Sequence, residues 1–265
     1  MLSSFVVTVT SVIPIIAVSR ILFSQILQLV MISRVAAFGP SVFAEITALA
    51  QQYDAVNLGQ GFPDFDTPEH VKDSVYRAVS DGRNQYATSH GEAVLRTAVA
   101  AHSQRFYQHS VNPDNEVCIT SGASEALWCA AFAFVEPGDE VIVFEPCFDV
   151  YIPNITMAGG TVIPVTLHAP AFRFDPDELR AAFSSRTKLI LINTPHNPCG
   201  TVFTQEELVL IRDLCVEYNV IALCDEVYEH IVFAPHKHMR LATFDGMQER
   251  CVTISSGCLL YTSPS

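Results

Sequence analysis

Three short runs of consecutive apolar residues stand out in the second half of the chain. They cover residues 141–144, 189–192 and 220–223. Strands that are buried on both faces of a sheet have this continuous pattern, whereas strands with one solvated face alternate apolar and polar residues. A shorter run at residues 117–120 predicts one more strand.

Apolar residues at helical spacing precede and separate these runs. Thr67 and Pro68 mark one helix start, because proline is favoured at the first helical position. Thr204 is an N-cap residue followed by acidic residues in the first turn of another helix. The predicted helices cover residues 42–53, 68–80, 92–108, 122–134, 177–183 and 205–218. Strands that alternate with helices predict an α/β fold: a three-layer α/β/α large domain with a mainly parallel sheet.

Composition and charge exclude several classes of protein. Hydrophobic residues make up 49% of the chain and charged residues 16%, which is too apolar for a disordered protein. The 28 acidic and 15 basic residues give a formal net charge of -13. Nucleic-acid binders neutralise phosphates with clustered Lys and Arg, so we expect no nucleic-acid partner.

The chain has eight cysteines, and no two of them form a CxxC motif. This spacing predicts neither a disulfide framework nor a metal site. Free cysteines are typical of a reducing compartment. We therefore expect a cytoplasmic protein, with a mitochondrial location as the alternative.

Residues 5–30 are rich in Val, Ile, Leu and Ser and contain no acidic residue. Three interpretations stay open: a membrane anchor, a transit peptide, or upstream sequence translated in error, with Met31 as the true start. A transmembrane helix needs about 20 predominantly apolar residues. Pro14, Arg20 and Gln25 interrupt this stretch, so we do not expect a membrane partner.

Polar or aromatic residues follow each predicted strand, at the edge where open α/β sheets bind ligands. Residues 121–125, with the sequence SGASE, open a helix whose free N–H groups suit a phosphate. Phe148 offers a ring for a planar ligand, Asn197 an amide donor, and Asp225 a carboxylate near Tyr228. Each also has a purely structural interpretation: a small-residue turn, a packed aromatic, a turn residue before proline, and a buried ion pair.

Six segments in order resemble the class I/II aminotransferases of pyridoxal-phosphate fold type I. Within that family the chain looks closest to the branch of kynurenine–oxoglutarate transaminases and cysteine-conjugate β-lyases. The resemblance runs from about Ser33 to Gly257. The segments are AVNLGQGFPDF (55–65), NQYATSHGEAVLR (84–96), TSGASEAL (120–127), EPGDEVIVFEPCFDVY (136–151), INTPHNPCGTVF (192–203) and CDEVYEHIVF (224–233).

The resemblance implies pyridoxal phosphate as the cofactor and assigns residues to it. Asp225 corresponds to the carboxylate that pairs with the pyridinium nitrogen, and a buried carboxylate keeps that nitrogen protonated. Phe148 corresponds to the ring that stacks on the pyridine. The remaining implied cofactor contacts are Ala123 and Ser124 at the phosphate, Asn197 and Tyr228 at the phenolic oxygen, and Ser255 in the turn after the last strand.

The resemblance also implies substrate contacts and a partner. Gly61 corresponds to a backbone contact of the substrate carboxylate, Phe43 to an aromatic position of the substrate pocket, and Asn197 to a further substrate contact. Tyr86 corresponds to a tyrosine that reaches the phosphate of a neighbouring subunit, which implies a homodimer. His196 departs from the family, because this branch more often has Asn there.

The decisive departure follows Ser255. The family places the lysine that holds the cofactor covalently at position 258 or 259, where this chain has Cys258 and Leu259. Without that lysine the general base of transamination is missing, and we expect no turnover by this chain. We expect residues 258–265 to be foreign sequence. Sequencing the genomic locus across these codons tests this expectation.

The expected organisation follows from the resemblance. Residues 1–33 form a hydrophobic leader or a mistranslated segment, 34–65 an N-terminal arm and small-domain segment, and 66–257 a large cofactor-binding domain that is incomplete at its C-terminus. The implied reaction transfers an amino group from a kynurenine-, glutamine-, aromatic- or sulfur-type amino acid to a 2-oxo acid. A cysteine-conjugate β-lyase, an aminocyclopropane-carboxylate-synthase-like enzyme and a non-catalytic truncated isoform stay open as alternatives.

Overall fold

The computed structural model describes residues 38–39, 41–59, 61 and 65–257. The chain divides into two units, Met1–Ser41 and Val42–Ser265. The predicted leader at 1–33 and the predicted tail at 258–265 lie outside the described residues. Within the described part, no helix combines the length and the apolar character needed to cross a bilayer.

The second unit alternates helices with strands, as the apolar pattern predicts. The helices are α1 (Val42–Gln52), α2 (Glu69–Ser80), α3 (Ala93–Tyr107), α4 (Gly122–Phe134), α5 (Tyr151–Ala158), α6 (Pro176–Ala182) and α7 (Gln205–Tyr218). The strands are β1 (Glu140–Glu145), β2 (Thr161–Thr166), β3 (Thr187–Asn193), β4 (Ile221–Asp225) and β5 (Cys251–Ile254).

Within the described residues the five strands form one sheet in the order β2-β1-β3-β4-β5. Every neighbouring pair is parallel. Parallel strands need crossover connections, which α5, α6 and α7 provide from β1 as far as β4. The structure therefore confirms the predicted α/β fold with a mainly parallel sheet.

Successive residues of the central strands pack into two separate apolar clusters, one on each face of the sheet. On β3, Leu189 and Leu191 join α4 and α5 on one face. Ile190 and Ile192 join α6 and α7 on the other face. Because side chains alternate along a strand, a strand covered on both faces is apolar at every position. The two clusters confirm the three-layer arrangement.

The predicted helix starts agree with the structure to within one or two residues. Thr204 caps α7: its hydroxyl accepts a hydrogen bond from Glu207 N–H at 3.3 Å, and the Glu207 carboxylate accepts one from Thr204 N–H at 2.7 Å. This reciprocal pair satisfies two backbone donors of the helix end. Helix α2 begins one residue later than predicted, with Pro68 rather than Thr67 at its N-cap.

Three elements differ from the sequence prediction. Helix α5 (Tyr151–Ala158) was not predicted. Residues 117–120 are not in the sheet, because no described strand lies beside them to complete a ladder; Ile119 N–H instead donates to His90 O at 3.0 Å. Strand β2 was not predicted. It lies at the edge of the described sheet and contains Pro164, which cannot donate a ladder hydrogen bond and is tolerated mainly in edge strands.

A buried and an exposed position on β3 allow a matched test of the core packing. Ile190→Ala removes a fully buried side chain, so we expect the free energy of unfolding to fall by about 2–5 kcal/mol. Lys188→Ala, at an exposed position near the start of the same strand, is expected to change it by less than about 0.5 kcal/mol. Denaturant titrations of the three proteins measure both values, and equal effects would contradict the described packing.

Candidate active site

The polar residues that follow β3 and β4 are tied together by hydrogen bonds at the carboxyl edge of the sheet. Asn193 Nδ2–H donates to Asp225 O at 2.9 Å, and Thr194 N–H donates to the same oxygen at 3.3 Å. Asn197 N–H donates to Asn193 Oδ1 at 2.7 Å. These bonds fix the loop that carries Asn197 beside the end of β4.

Asp225 is a buried carboxylate, with 5% of the residue exposed. Its Oδ2 accepts a hydrogen bond from Tyr151 OH at 2.6 Å, and its Oδ1 accepts one from Val227 N–H at 3.2 Å. Burial raises the pKa of Asp225 even though both donors act in the opposite direction. Among the described residues, no basic side chain forms an ion pair with it. The buried acid therefore lacks a cationic partner.

Tyr151, which donates to this carboxylate, belongs to a group of neighbouring aromatic rings. The ring centroids of Phe148 and Tyr151 lie 5.7 Å apart with the rings nearly perpendicular, and those of Phe43 and Phe148 lie 6.1 Å apart. Burial, together with the charge and the hydrogen bond of Asp225, raises the pKa of Tyr151 well above its ordinary value. Tyr151 therefore stays protonated and acts as a donor.

Tyr151 is a site residue that the sequence analysis did not assign. It stands three residues after Phe148 at the start of α5, so the aromatic spacing in EPCFDVY was an available signal. Its hydroxyl reaches a strand 74 positions away in the sequence. Only the tertiary structure shows that partner.

Tyr228 and Asn197 lie next to each other, as the resemblance implies. The Asn197 side chain is hydrogen-bonded to that of Tyr228. Burial raises the pKa of the half-buried Tyr228, and the charge of Asp225 acts in the same direction. A protonated phenol and an amide thus stand side by side near the Asp225 carboxylate.

The N-terminus of α4 is the predicted phosphate site. Gly122 opens the helix with a positive φ of 81°, and the Ser121 side chain makes no capping hydrogen bond. Ala123 packs against the same apolar cluster as Phe148, whereas Ser124 is exposed. The Glu125 carboxylate accepts a hydrogen bond from Ser121 N–H. The helix end therefore already receives one anionic group at a backbone donor.

Ser255 is exposed, but its side chain contacts a second polar group, which is buried and was not predicted from the sequence. Its hydroxyl donates to Glu229 Oε1 at 2.7 Å. Arg240 donates to Glu229 Oε2 at 3.1 Å and to Glu226 Oε2 at 2.8 Å. Burial alone would raise the pKa of Glu229, but hydrogen bonds from Tyr107 and Ser255 and the charge of Arg240 lower it overall.

For three positions to which the resemblance assigns a role, the described residues show no contact with these groups. Tyr86 is fully exposed, at 101% of its reference area, and Gly61 is exposed as well. Their roles at a neighbouring subunit and at the substrate stay predictions. Cys258 and Leu259, where the family places its lysine, lie outside the described residues.

His196, the departure in the loop after β3, is buried. Burial lowers its pKa to about 4, so the imidazole is neutral at physiological pH. Its backbone N–H donates to Thr201 O at 2.9 Å and stabilises the loop. His196 is therefore a neutral, packed residue of this loop.

Comparison with known proteins settles the family. The model of the family "Aminotransferase class I and II" matches residues 53–258. The chain belongs to the class I and II aminotransferases.

Solved and curated members of this family are similar to the chain. The structure of N-succinyldiaminopimelate aminotransferase from Mycobacterium tuberculosis is 43% identical, with a TM-score of 0.85, and covers 88% of this chain and 61% of that one. Methionine aminotransferase of Escherichia coli is 40% identical over 84% of this chain and 58% of its own length. Kynurenine–oxoglutarate transaminase 3 of Bos taurus is 40% identical over 84% of this chain and 51% of its own length. The chain therefore spans little more than half the length of these curated relatives.

Class I and II aminotransferases use pyridoxal phosphate, and the described residues fit this cofactor. Asp225 is a buried carboxylate with no basic partner among the described residues, and a protonated pyridine nitrogen would supply a cation there. Tyr228 and Asn197 are hydrogen-bonded neighbours, a phenol and an amide that can both act as donors. The first turn of α4 presents backbone N–H groups and the positive end of a helix dipole to a phosphate.

Tyr151→Phe tests the surroundings of Asp225. The pKa of Asp225 is raised in the folded state, so ionisation of this carboxyl at neutral pH lowers the free energy of unfolding. This loss of stability disappears as the pH falls through the raised pKa toward the pKa of the unfolded chain. Removing the Tyr151 hydroxyl increases this loss, so we expect the free energy of unfolding at neutral pH to fall by about 1–3 kcal/mol. The deficit should shrink as the pH is lowered.

Denaturant titrations of wild type and variant at several pH values measure this difference. Tyr218→Phe is the matched control, because Tyr218 is partly exposed and packs on Phe183 away from Asp225. It should change the free energy of unfolding by less than about 0.5 kcal/mol. A Tyr151→Phe deficit that stays constant with pH would contradict the coupling to Asp225.

Proposed function

We propose that this protein is a pyridoxal-phosphate-dependent aminotransferase that moves an amino group from an amino acid to a 2-oxo acid. The observation that carries the proposal is the buried Asp225 carboxylate at the tip of β4, which has hydrogen-bond donors but no cationic partner among the described residues. An isolated buried charge is costly. A cofactor that brings a protonated nitrogen to this position removes that cost.

Each residue of the site has a defined part toward the cofactor. Asp225 would hold the proton on the pyridine nitrogen, and Tyr151 orients the carboxylate through its hydrogen bond of 2.6 Å. Phe148 would cover one face of the ring. Asn197 and Tyr228 would donate to the phenolic oxygen. When bound, pyridoxal phosphate supplies a protonated ring that withdraws electrons from the substrate's Cα.

The amino donor that we propose is of the kynurenine, glutamine, aromatic or sulfur type. Phe43 lies beside Phe148, so an aromatic wall borders the predicted cofactor position and favours apolar or aromatic side chains. Relatives named for methionine and for kynurenine agree with this choice. N-succinyldiaminopimelate is a second candidate donor, because the aminotransferase named for it is 43% identical to this chain.

We also propose a cytoplasmic homodimer, with a mitochondrial location as the alternative. Tyr86 is fully exposed and so is accessible to a neighbouring subunit, as its family role requires. The seven cysteines of the described residues are free thiols, which supports a reducing compartment.

Asp225→Asn tests cofactor binding directly. A hydrogen bond to a charged group contributes about 1.5–3 kcal/mol, so we expect the variant to bind pyridoxal phosphate about 10- to 150-fold more weakly. Titrations followed by cofactor absorbance and by Trp128 fluorescence measure the affinity of the full chain. Asp177→Asn, which neutralises an exposed carboxylate in the first turn of α6, should leave the affinity unchanged.

Far-UV circular dichroism and thermal unfolding of Asp225→Asn distinguish lost binding from lost folding. The variant removes a buried charge that lacks a cation, so we expect it to fold at least as well as the wild type. Equal affinity of wild type and Asp225→Asn for pyridoxal phosphate would overturn the proposed orientation of the cofactor.

The reaction is tested on the protein that the complete transcript encodes. Kynurenine, glutamine, phenylalanine, methionine and N-succinyldiaminopimelate are each offered with 2-oxoglutarate or pyruvate, and the new amino acid is quantified by chromatography. We expect amino transfer from at least one donor. Release of pyruvate from a cysteine conjugate without amino transfer would favour the β-lyase alternative. Cofactor binding without either reaction would favour the non-catalytic isoform.

A further inference from the structure

A histidine pair outside the predicted cofactor site connects α3 to the loop after β4. His102 lies on α3, and His230 lies five residues beyond the end of β4. Their Nε2 atoms are 2.8 Å apart, and the two rings are nearly perpendicular, at 88°. Glu229 lies beside them, and one ligand atom from each of the three residues lies within 4.8 Å of the other two.

This set of donors matches what a zinc ion prefers. Zinc binds imidazole nitrogen and carboxylate oxygen at about 2.0–2.2 Å, and sites with three protein ligands keep a fourth position for water. Tetrahedral geometry at these bond lengths places two nitrogen ligands about 3.3 Å apart. The two Nε2 atoms would need to separate by only a few tenths of an ångström.

The surroundings of Glu229 hold its carboxylate in place. Tyr107 OH and Arg240 Nη2 donate to Oε2, and Ser255 OH donates to Oε1. Only 1% of the Glu229 side chain is exposed. Hydrogen bonds from outside the coordination sphere commonly orient the ligands of a metal site.

The charge balance of this region favours a cation. Glu226 and Glu229 both pair with Arg240, so two carboxylates face one guanidinium. His238 Nε2 also lies 3.2 Å from Glu226 Oε2. The carboxylates thus outnumber the guanidinium in a largely buried region, where opposite charges attract more strongly than in water.

The histidines of this site are accessible to solvent, and one aromatic ring packs against both of them. His102 and His230 are partly exposed, so an ion can reach their nitrogens from solvent. The Phe106 ring packs against both histidines, with centroid distances of 4.7 Å and 4.8 Å. This contact restricts the ring orientations to those seen in the structure.

We propose that His102, His230 and Glu229 bind a divalent transition-metal ion, with zinc as the best match to this donor set. The ion would tie α3 to the loop after β4. The inference is separate from the proposed aminotransferase activity, because none of the three proposed ligands is assigned to the cofactor or the substrate. Cysteine spacing gave no sign of this site, because its proposed ligands are two histidines and a glutamate from segments that are far apart in the sequence.

Titration of the full chain with zinc chloride, in competition with a chromogenic chelator, measures the affinity. We expect one tight site per chain in the wild type. His102→Gln and His230→Gln should each weaken binding by about 100-fold or more, since losing even an outer contact of a metal site costs about 10–100-fold. His236→Gln, an exposed histidine six residues from His230, is the matched control and should bind zinc as the wild type does.

Thermal unfolding with and without zinc separates a built site from weak binding at surface histidines or cysteines. A ligand that binds only the folded state raises its stability. We expect zinc to raise the melting temperature of the wild type and of His236→Gln, but not that of His102→Gln or His230→Gln. Circular dichroism without metal confirms that the variants fold. Absence of zinc binding by the wild type, or equal affinity in all four proteins, would overturn the proposal.

Discussion

The burial of the central strands on both faces is the constraint on which the site depends. Backbone groups of β1, β3 and β4 have no access to water, so they must be satisfied within the sheet, and the parallel ladders satisfy them. Parallel strands place all their carboxyl ends at one edge. The loops that carry Phe148, Asn197 and Tyr228 therefore converge there, close to Asp225, although they are far apart in the sequence.

Two acidic groups at this edge are satisfied in different ways. Glu226 and Glu229 both pair with Arg240, and Glu229 receives further hydrogen bonds from Tyr107 and Ser255, so each of these carboxylates has a cationic neighbour. Asp225 receives hydrogen bonds but no cation from the described residues, and its pKa is raised by burial. Asp225 is therefore the carboxylate assigned to the cofactor. The adjacent group, in which two carboxylates share one guanidinium, supports the proposed metal site.

Ser255 illustrates how the two groups meet. The family resemblance places it beside the cofactor, and the structure shows its hydroxyl bonded to Glu229, which is also a proposed metal ligand. Glu229 in turn holds Arg240 against the Tyr107 ring, 3.8 Å from the guanidinium carbon. Helix α3 is thereby connected to the end of β4 by charge, hydrogen bonds and ring contact.

The sequence by itself determined the α/β class, six of the helices, the central strands and the family. These features depend on local periodicity and on the order of motifs, both of which are visible in the sequence itself. It missed β2, because Pro164 interrupts the apolar pattern, and Tyr151 as the donor to Asp225. Only the tertiary structure decided the pairings of Arg240 and the meeting of His102 with the loop after β4, because contacts between distant segments leave no periodic signal in either segment.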